Sequence, residues 1–265
     1  MFKNQRHEEI LEILKNESFA GVCDLSKRLF ASQPTIRRDL DILEKQGYIR
    51  RSHGGAILAN GNLNTPVPFR MGKHAKEKAQ ICQLASTLLR PDTLIFTDAS
   101  TTVLHLSDWI NEKDNITVVT NGLSMCRALV ERNINTYSTG GHFFKRSEAF
   151  VGRHAEDTVN GFNADMMFIS VASLDSEGML SDFSEEELSL RLTMKERCEK
   201  VVLLIDSEKT EKKSAFRIFP LSEIDYIVTN TPLSDHLIER YRLTVLRRSE
   251  HAILYQNTCL IPILK

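Results

Sequence analysis

Apolar residues recur at helical spacing three times within the first 45 positions. Ile10, Leu11, Ile13 and Leu14 predict a helix over 6–17, Val22, Leu25, Leu29 and Phe30 a second with the same period, and Ile36, Leu40 and Leu43 a third. A turn of about three residues, Ala31-Ser32-Gln33, separates the last two, and a pair of helices joined this tightly makes a helix-turn-helix. Ser32 is the expected N-cap, Pro34 sits in the first turn where its missing N–H is not needed, and Gly47 is expected to end the helix as a left-handed cap. Tyr48 to Ile57 then reads as two short strands around Gly54-Gly55, a wing.

Beyond residue 72 the pattern changes to buried strands alternating with helices. Helices are predicted over 75–89, 101–110, 123–132, 185–198 and 234–241, and strands over 94–98, 116–120, 135–139, 166–171, 201–206, 225–229 and 243–246. This alternation implies a largely parallel sheet covered on both faces. The stretch Asn60 to Pro68 carries turn formers and little apolar pattern, so it reads as a hinge. The expected organisation is a head over 1–58, a linker over 59–72 and a body over 73–265. The last stretch, Ala252 to Lys265, is left as an extra strand or a tail.

Composition narrows the class. A chain of 265 residues with 42% hydrophobic and 26% charged residues has room for one large domain or two smaller ones. No apolar run approaches the roughly 18–20 residues of a membrane span, and the polar N-terminus predicts no secretory leader and a cytoplasmic protein. Five scattered cysteines predict free thiols and offer no metal set. The net charge of -1 hides an asymmetry: residues 1–58 hold ten Lys/Arg against eight Asp/Glu, leaving 24 and 27 for the rest. A locally basic head on a mildly acidic body suits a regulator better than a coating protein.

Burying Ile36, Leu40 and Leu43 leaves Thr35, Arg37 and Arg38 on the outer face of the third helix. An Arg-Arg pair is usually a solvated helix face. Here the short turn, the cap and the basic glycine hairpin together favour DNA. Ser32, Gln33, Thr35 and Arg38 are placed to touch bases or phosphates, Arg37, Arg50 and Arg51 to hold phosphates, and His53 at the wing tip to reach the minor groove. Asp39 cannot approach DNA comfortably and is expected to pair with a neighbouring arginine or with the wing. In the body, four strand ends are polar: Asp98-Ala99-Ser100-Thr101-Thr102, Thr120-Asn121-Gly122, Gly140-Gly141 and Asp206-Ser207-Glu208-Lys209. Open α/β sheets bind ligands beyond such ends. Each run alone is most simply a helix cap, but the four together point to a small, polar, phosphorylated ligand.

Thr35-Ile36-Arg37-Arg38-Asp39-Leu40, followed by Leu43-Glu44, Gly47 and Arg51-Ser52-His53-Gly54-Gly55-Ala56, resembles the head of the DeoR family of bacterial transcriptional regulators. Ala31 stands where the family usually has a β-branched residue. From about Arg70 to Thr229 the chain is similar to the family's effector domain, whose fold is like that of ribose-5-phosphate isomerase. Its anchors here are Glu77-Lys78, Asp98 with Thr101-Thr102, Thr120-Asn121, Gly140-Gly141, Gly152 and Asp206 with Lys209. The resemblance implies an α/β protein in which a winged helix-turn-helix precedes a mostly parallel αβα sensor domain. It implies double-stranded operator DNA and a sugar phosphate as partners, and a homo-oligomer, dimer or tetramer, that is nucleoid-associated when bound to its operator. The implied effector contacts are Asp98, Ser100, Thr101, Thr102, Thr120, Asn121, Gly122, Gly140, Gly141 and Lys209, with no catalytic residue, metal or cofactor. Ser100 and Ser170 replace glycines of the family pattern, and a Cβ at either place narrows backbone approach to a ligand. Two other readings stay open. One is a sugar-phosphate isomerase with an appended head, for which Asp175 and Glu177 in a loop after a strand supply carboxylates. The other is a regulator whose body no longer binds an effector.

Overall fold

Helical spacing at the start of the chain closes on one small core. The computed structural model describes residues 3–17, 19–45, 48–52, 54–58 and 67–260, which fall into two units, Met1–Gly72 and Lys73–Lys265. In the first unit, α1 (Lys3–Glu17), α2 (Val22–Arg28) and α3 (Gln33–Lys45) bury Ile10, Leu11, Leu14, Leu25, Ile36, Leu40 and Leu43 together. Strand β1 (Phe19–Gly21) was not expected; three residues are too few to show a period of two. It pairs antiparallel with β3 (Gly55–Leu58), which pairs in turn with β2 (Ile49–Ser52), giving the order β1-β3-β2.

Three expectations for this unit need correction. Leu29 is buried, but Phe30 is 95% exposed. With φ at +47° it turns the chain from α2 into α3, and a residue at that reversal cannot continue the buried stripe of α2. Gln33 belongs to α3 and not to the turn. Residues 67–72, read as the end of a linker, form helix α4 (Val67–Gly72), which packs against α1. Gly47, His53 and positions 59–66 of the expected linker lie outside the described residues.

The second unit is an eight-stranded sheet between two layers. Its elements are α5 (Ala75–Ala85), β4 (Leu94–Thr97), β5 (Thr117–Thr120), α6 (Leu123–Val130), β6 (Thr136–Ser138), β7 (His142–Phe144), β8 (Ala149–Val151) and α7 (Arg153–Asn160). They continue with β9 (Ala164–Ile169), β10 (Ser173–Leu174), β11 (Met179–Asp182), α8 (Glu185–Glu196), β12 (Cys198–Ile205), β13 (Phe216–Pro220), β14 (Tyr226–Thr229), α9 (Asp235–Arg240), β15 (Leu243–Arg248) and β16 (Ile253–Asn257). The strand order is β15-β16-β14-β12-β9-β4-β5-β6, and the six strands from β14 to β6 are parallel.

Alternation along each strand divides the core in two. Phe96, Met167, Ile169, Leu203 and Ile205 pack with α7, α8 and α9, while Ile95, Met166, Phe168, Val202 and Leu204 pack with α5 and α6. The helix expected over 101–110 is a 3-10 helix, Val103–Trp109. The hairpin β7–β8, helix α7 and the small sheet β10-β11-β13 were not foreseen. Strand β16 settles the stretch from Ala252: it inserts antiparallel between β14 and β15. None of the described helices is long and apolar enough to cross a membrane.

Connections leave β4 toward β5 and β6 on one side, then return to β9, β12 and β14 on the other. The sheet therefore has its topological switch point between β4 and β9, at the carboxyl ends where such sheets bind ligands.

Candidate functional site

The head presents one helix outward. Ser32 Oγ accepts the amide of Thr35 at 3.3 Å and shares a 2.8 Å hydrogen bond with Thr35 Oγ1, so both hydroxyls are engaged in capping α3. Gln33, Arg37 and Arg38 are exposed on the face opposite Ile36, Leu40 and Leu43. Asp39 lies on the inner side, 2% exposed. Its carboxylate takes Arg6 Nε at 2.5 Å and His7 Nε2 at 2.8 Å, both from α1. It pairs with an arginine, as expected, but with one 33 positions away. Burial would raise the Asp39 pKa, and the bonds from Arg6 and His7 overcome this and hold it below the usual carboxylate value. Neither Arg6 nor His7 carried a sequence signal for this role.

The wing separates two arginines that the sequence reading grouped. Side chains alternate along β2, so Arg50 is exposed while Arg51 shares the face of buried Ile49. Arg51 is turned to α3: its Nε lies 3.9 Å from Asp41 and its amide donates to Glu44 at 2.7 Å. Arg50 is left facing outward, while Arg51 ties the wing to the helix. Gly54 has φ at +73°, and a Cβ on Gly55 would lie 2.2 Å from the Ala20 carbonyl of β1. The wing tip is pinned to α2, because the Val22 amide donates to the Gly54 carbonyl at 2.8 Å.

In the second unit the switch point gathers a polar cluster. Lys209 Nζ donates to Ser170 Oγ at 2.8 Å and Thr102 Oγ1 at 3.2 Å. Buried Lys78 of α5 donates to the neighbouring Thr101 Oγ1 at 3.2 Å. Two cations thus converge on adjacent threonines from different elements. His105 feels one of them: burial first, then the charge of Lys78, push its pKa below the ordinary value against the opposing pull of Asp108. Ser100 and Ser170 are themselves occupied, Ser100 Oγ accepting the Val103 amide at 3.1 Å and Ser170 Oγ the lysine. Both serines therefore add polar contacts at the strand ends.

Asp98, expected at the ligand, is committed within the protein. Its Oδ1 accepts the Ser100 amide at 3.0 Å, and its Oδ2 accepts the Ser170 amide at 3.2 Å and Arg191 Nη2 at 3.2 Å. Arg191 of α8 is buried, also meets Asp182 at 2.8 Å, and lies 3.8 Å from Glu187. Burial acts to lower its pKa, but the three carboxylates outweigh that and raise it, so the guanidinium stays charged. Arg191 was missed as a site residue, and Ser170 was singled out only for its Cβ and not as a partner of Lys209. Both reach the β4 end only through the fold.

The remaining expected contacts divide. Thr120 Oγ1 donates to the Thr97 carbonyl at 3.0 Å and accepts the Gly122 amide at 3.1 Å; a Cβ on Gly122 would lie 3.0 Å from Ala99 Cα. This strand end therefore abuts the Asp98 loop. Asn121 Nδ2 donates to the Phe150 carbonyl, while its Oδ1 is buried without a hydrogen-bond partner among the described residues. The Gly140 amide donates to Ser138 Oγ at 3.2 Å. Gly141, with φ at +102°, is needed for packing, since a Cβ would lie 2.8 Å from the Val151 carbonyl and 3.1 Å from the Ala155 amide of α7.

A winged helix-turn-helix joined to an α/β unit with a cationic, hydroxyl-rich switch point is the build of a transcriptional regulator that carries its own sensor. Residues 6–61 match the DeoR-like helix-turn-helix domain and residues 73–231 the DeoR C terminal sensor domain. The chain belongs to the DeoR family of transcriptional regulators. It is 34% identical over 237 residues to the L-fucose operon activator of Haemophilus influenzae, covering 88% of this chain and 94% of that one. It is 27% identical over 248 residues to the glycerol-3-phosphate regulon repressor of Escherichia coli K12, covering 90% and 98%. Among solved structures it is similar to ribose 5-phosphate isomerase A of Methanocaldococcus jannaschii, with 12% identity, a TM-score of 0.39, and coverage of 70% of this chain and 81% of that one.

Proposed function

We propose that this regulator represses a carbohydrate operon and is released from its operator when a phosphorylated sugar occupies the switch point of its sensor unit. The observation that carries the reading is the convergence of Lys78 and Lys209 on Thr101, Thr102 and Ser170. Two ammonium groups and three hydroxyls suit a phosphate group, and the Asn121 acceptor suits a sugar hydroxyl. Relatives named for a glycerol-3-phosphate regulon and an L-fucose operon support the same class of regulated genes.

On the DNA side, Gln33, Arg37 and Arg38 of α3 enter the major groove and Arg50 follows the backbone, with Ser32 and Thr35 presenting the capped end of the helix. A head of this size reads one half-site, so the protein acts as a homo-oligomer with two heads on a pseudo-palindromic operator. The test is a gel shift with DNA upstream of its own and neighbouring genes, repeated with a panel of sugar phosphates. The reading requires a shifted band that Arg38→Ala abolishes and that one sugar phosphate dissolves. A band indifferent to every sugar phosphate removes the sensing half of the proposal, and no band on any of these promoters removes the whole. A reporter that rises when the gene is deleted establishes repression; one that falls makes the protein an activator.

A further inference from the structure

Lys209 is not the only residue of its turn with a partner. The 3-10 turn Ser207–Lys209 points Lys209 into the switch point and Glu208 outward. Glu208 Oε2 lies 2.7 Å from Lys73 Nζ, and its Oε1 lies 2.8 Å from His74 Nε2. Lys73 and His74 are the first residues of the second unit, immediately after α4, so everything that precedes them in the chain is the DNA-binding unit. His74 also starts α5: its carbonyl accepts the Lys78 amide at 3.0 Å, and Lys78 is the other cation of the site. The junction is therefore held twice, through Glu208 to Lys209 and through the first turn of α5 to Lys78.

We propose that Glu208 is the coupling residue of this regulator, tying the Lys73–His74 junction to the turn that carries Lys209, so that filling the anion site is relayed to the segment on which the head hangs. The proposal rests on the anion site described under Proposed function and adds how its occupancy leaves the sensor unit.

The geometry suits a relay. The turn is stiff: Asp206 caps it by accepting the Glu208 amide at 3.2 Å, the Ser207 amide donates to Asn230 at 2.9 Å, and Thr210 Oγ1 donates to the Ser207 carbonyl at 2.9 Å. A displacement of Lys209 toward a bound anion is then carried to Glu208 instead of being absorbed within the turn. At the receiving end, His74 adopts φ of +54°, a left-handed conformation uncommon for a residue with a Cβ. Its ring meets Glu208 at 2.8 Å and Glu77 at 3.9 Å, and the chain there has another backbone well to enter when the tie changes. Burial acts to raise the Glu208 pKa, but Lys73 and then His74 hold it below its ordinary value, so the carboxylate that faces Lys73 is ionised at neutral pH. The tie is also partly exposed, which makes it a bias that a ligand can shift and not a lock.

Hydrogen exchange on the full-length protein tests this, with inorganic phosphate as the anion probe. In the unmodified protein, phosphate is expected to slow exchange at residues 98–104 of the site and to change it at residues 73–78 of the junction. In Glu208→Gln the response at 98–104 is expected to remain and the response at 73–78 to be lost; Lys73→Ala, which removes the other side of the tie, is expected to weaken it. A junction response that survives Glu208→Gln overturns the coupling role. A response at the site with none at the junction in the unmodified protein overturns it as well. If phosphate alters neither region, the anion site itself is wrong and the relay falls with it.

Discussion

Asp39 shows how a single carboxylate can be essential to a DNA-binding head without touching DNA. It sits one position after Arg38 yet points inward, clasping Arg6 and buried His7. Removing one partner of a buried ion pair leaves the others unpaired, so Asp39→Ala is expected to destabilise the head by about 3 kcal/mol, read by urea unfolding of the full chain. The pair also sets an acid limit. Because the folded pKa of Asp39 is lowered, its stabilisation is complete above the unfolded value of about 3.9 and fades as pH falls through the folded value. Unfolding curves below about pH 4 should therefore be less pH-dependent in Asp39→Asn than in the parent. On the outer face of the head the arginines are expected to separate by role. Arg38→Ala should cost about 1–3 kcal/mol of operator affinity and relax the preference at one base position. Arg50→Ala should weaken binding to all sequences alike and lower the salt slope by about one. Arg51→Ala should change that slope less, because its side chain is turned to Asp41. Salt-dependent gel shifts on the three variants distinguish these outcomes.

Among the elements, the ones with several apolar residues in phase were legible. The three head helices and the parallel strands β4, β5, β9, β12 and β14 announce themselves by helical spacing or by unbroken apolar runs. Short elements were not. The strands β1, β10 and β11 have two to four residues and exist because a partner strand pairs with them, not because of a local pattern. β16 is the instructive case. The stretch from Ala252 reads in the sequence as an extra strand or a tail, and only the sheet shows that it lies between β14 and β15 and covers what would otherwise be an exposed edge. Leu254, at its centre, is fully buried, so Leu254→Ala should cost about 2–5 kcal/mol in thermal or denaturant unfolding. Gly141→Ala should also lower the melting temperature, because φ of +102° and the Val151 carbonyl both oppose a side chain there.

For the whole molecule, sensing and DNA reading reside in separate units, and ligand binding should register as stability of the sensor unit. A sugar phosphate at 100 times its dissociation constant should stabilise it by about 2.7 kcal/mol, and a thermal shift that disappears in Lys209→Ala would place the ligand at the switch point. The sequence by itself determined the two-part plan, the reading helix with its Ser32 cap, and the polar strand ends, because each is written in neighbouring residues whose spacing maps directly onto a helix, a turn or a strand terminus. Tertiary structure alone decided which of those polar residues face each other. It set Asp98 against Arg191, brought Lys78 and Lys209 to adjacent threonines with Ser170 on Lys209, set Asp39 against α1, and turned Arg51 away from Arg50. The reason is physical: these partnerships join side chains from distant segments across a strand order and a pleat, and no local spacing encodes which strand end, or which face, a remote residue will meet.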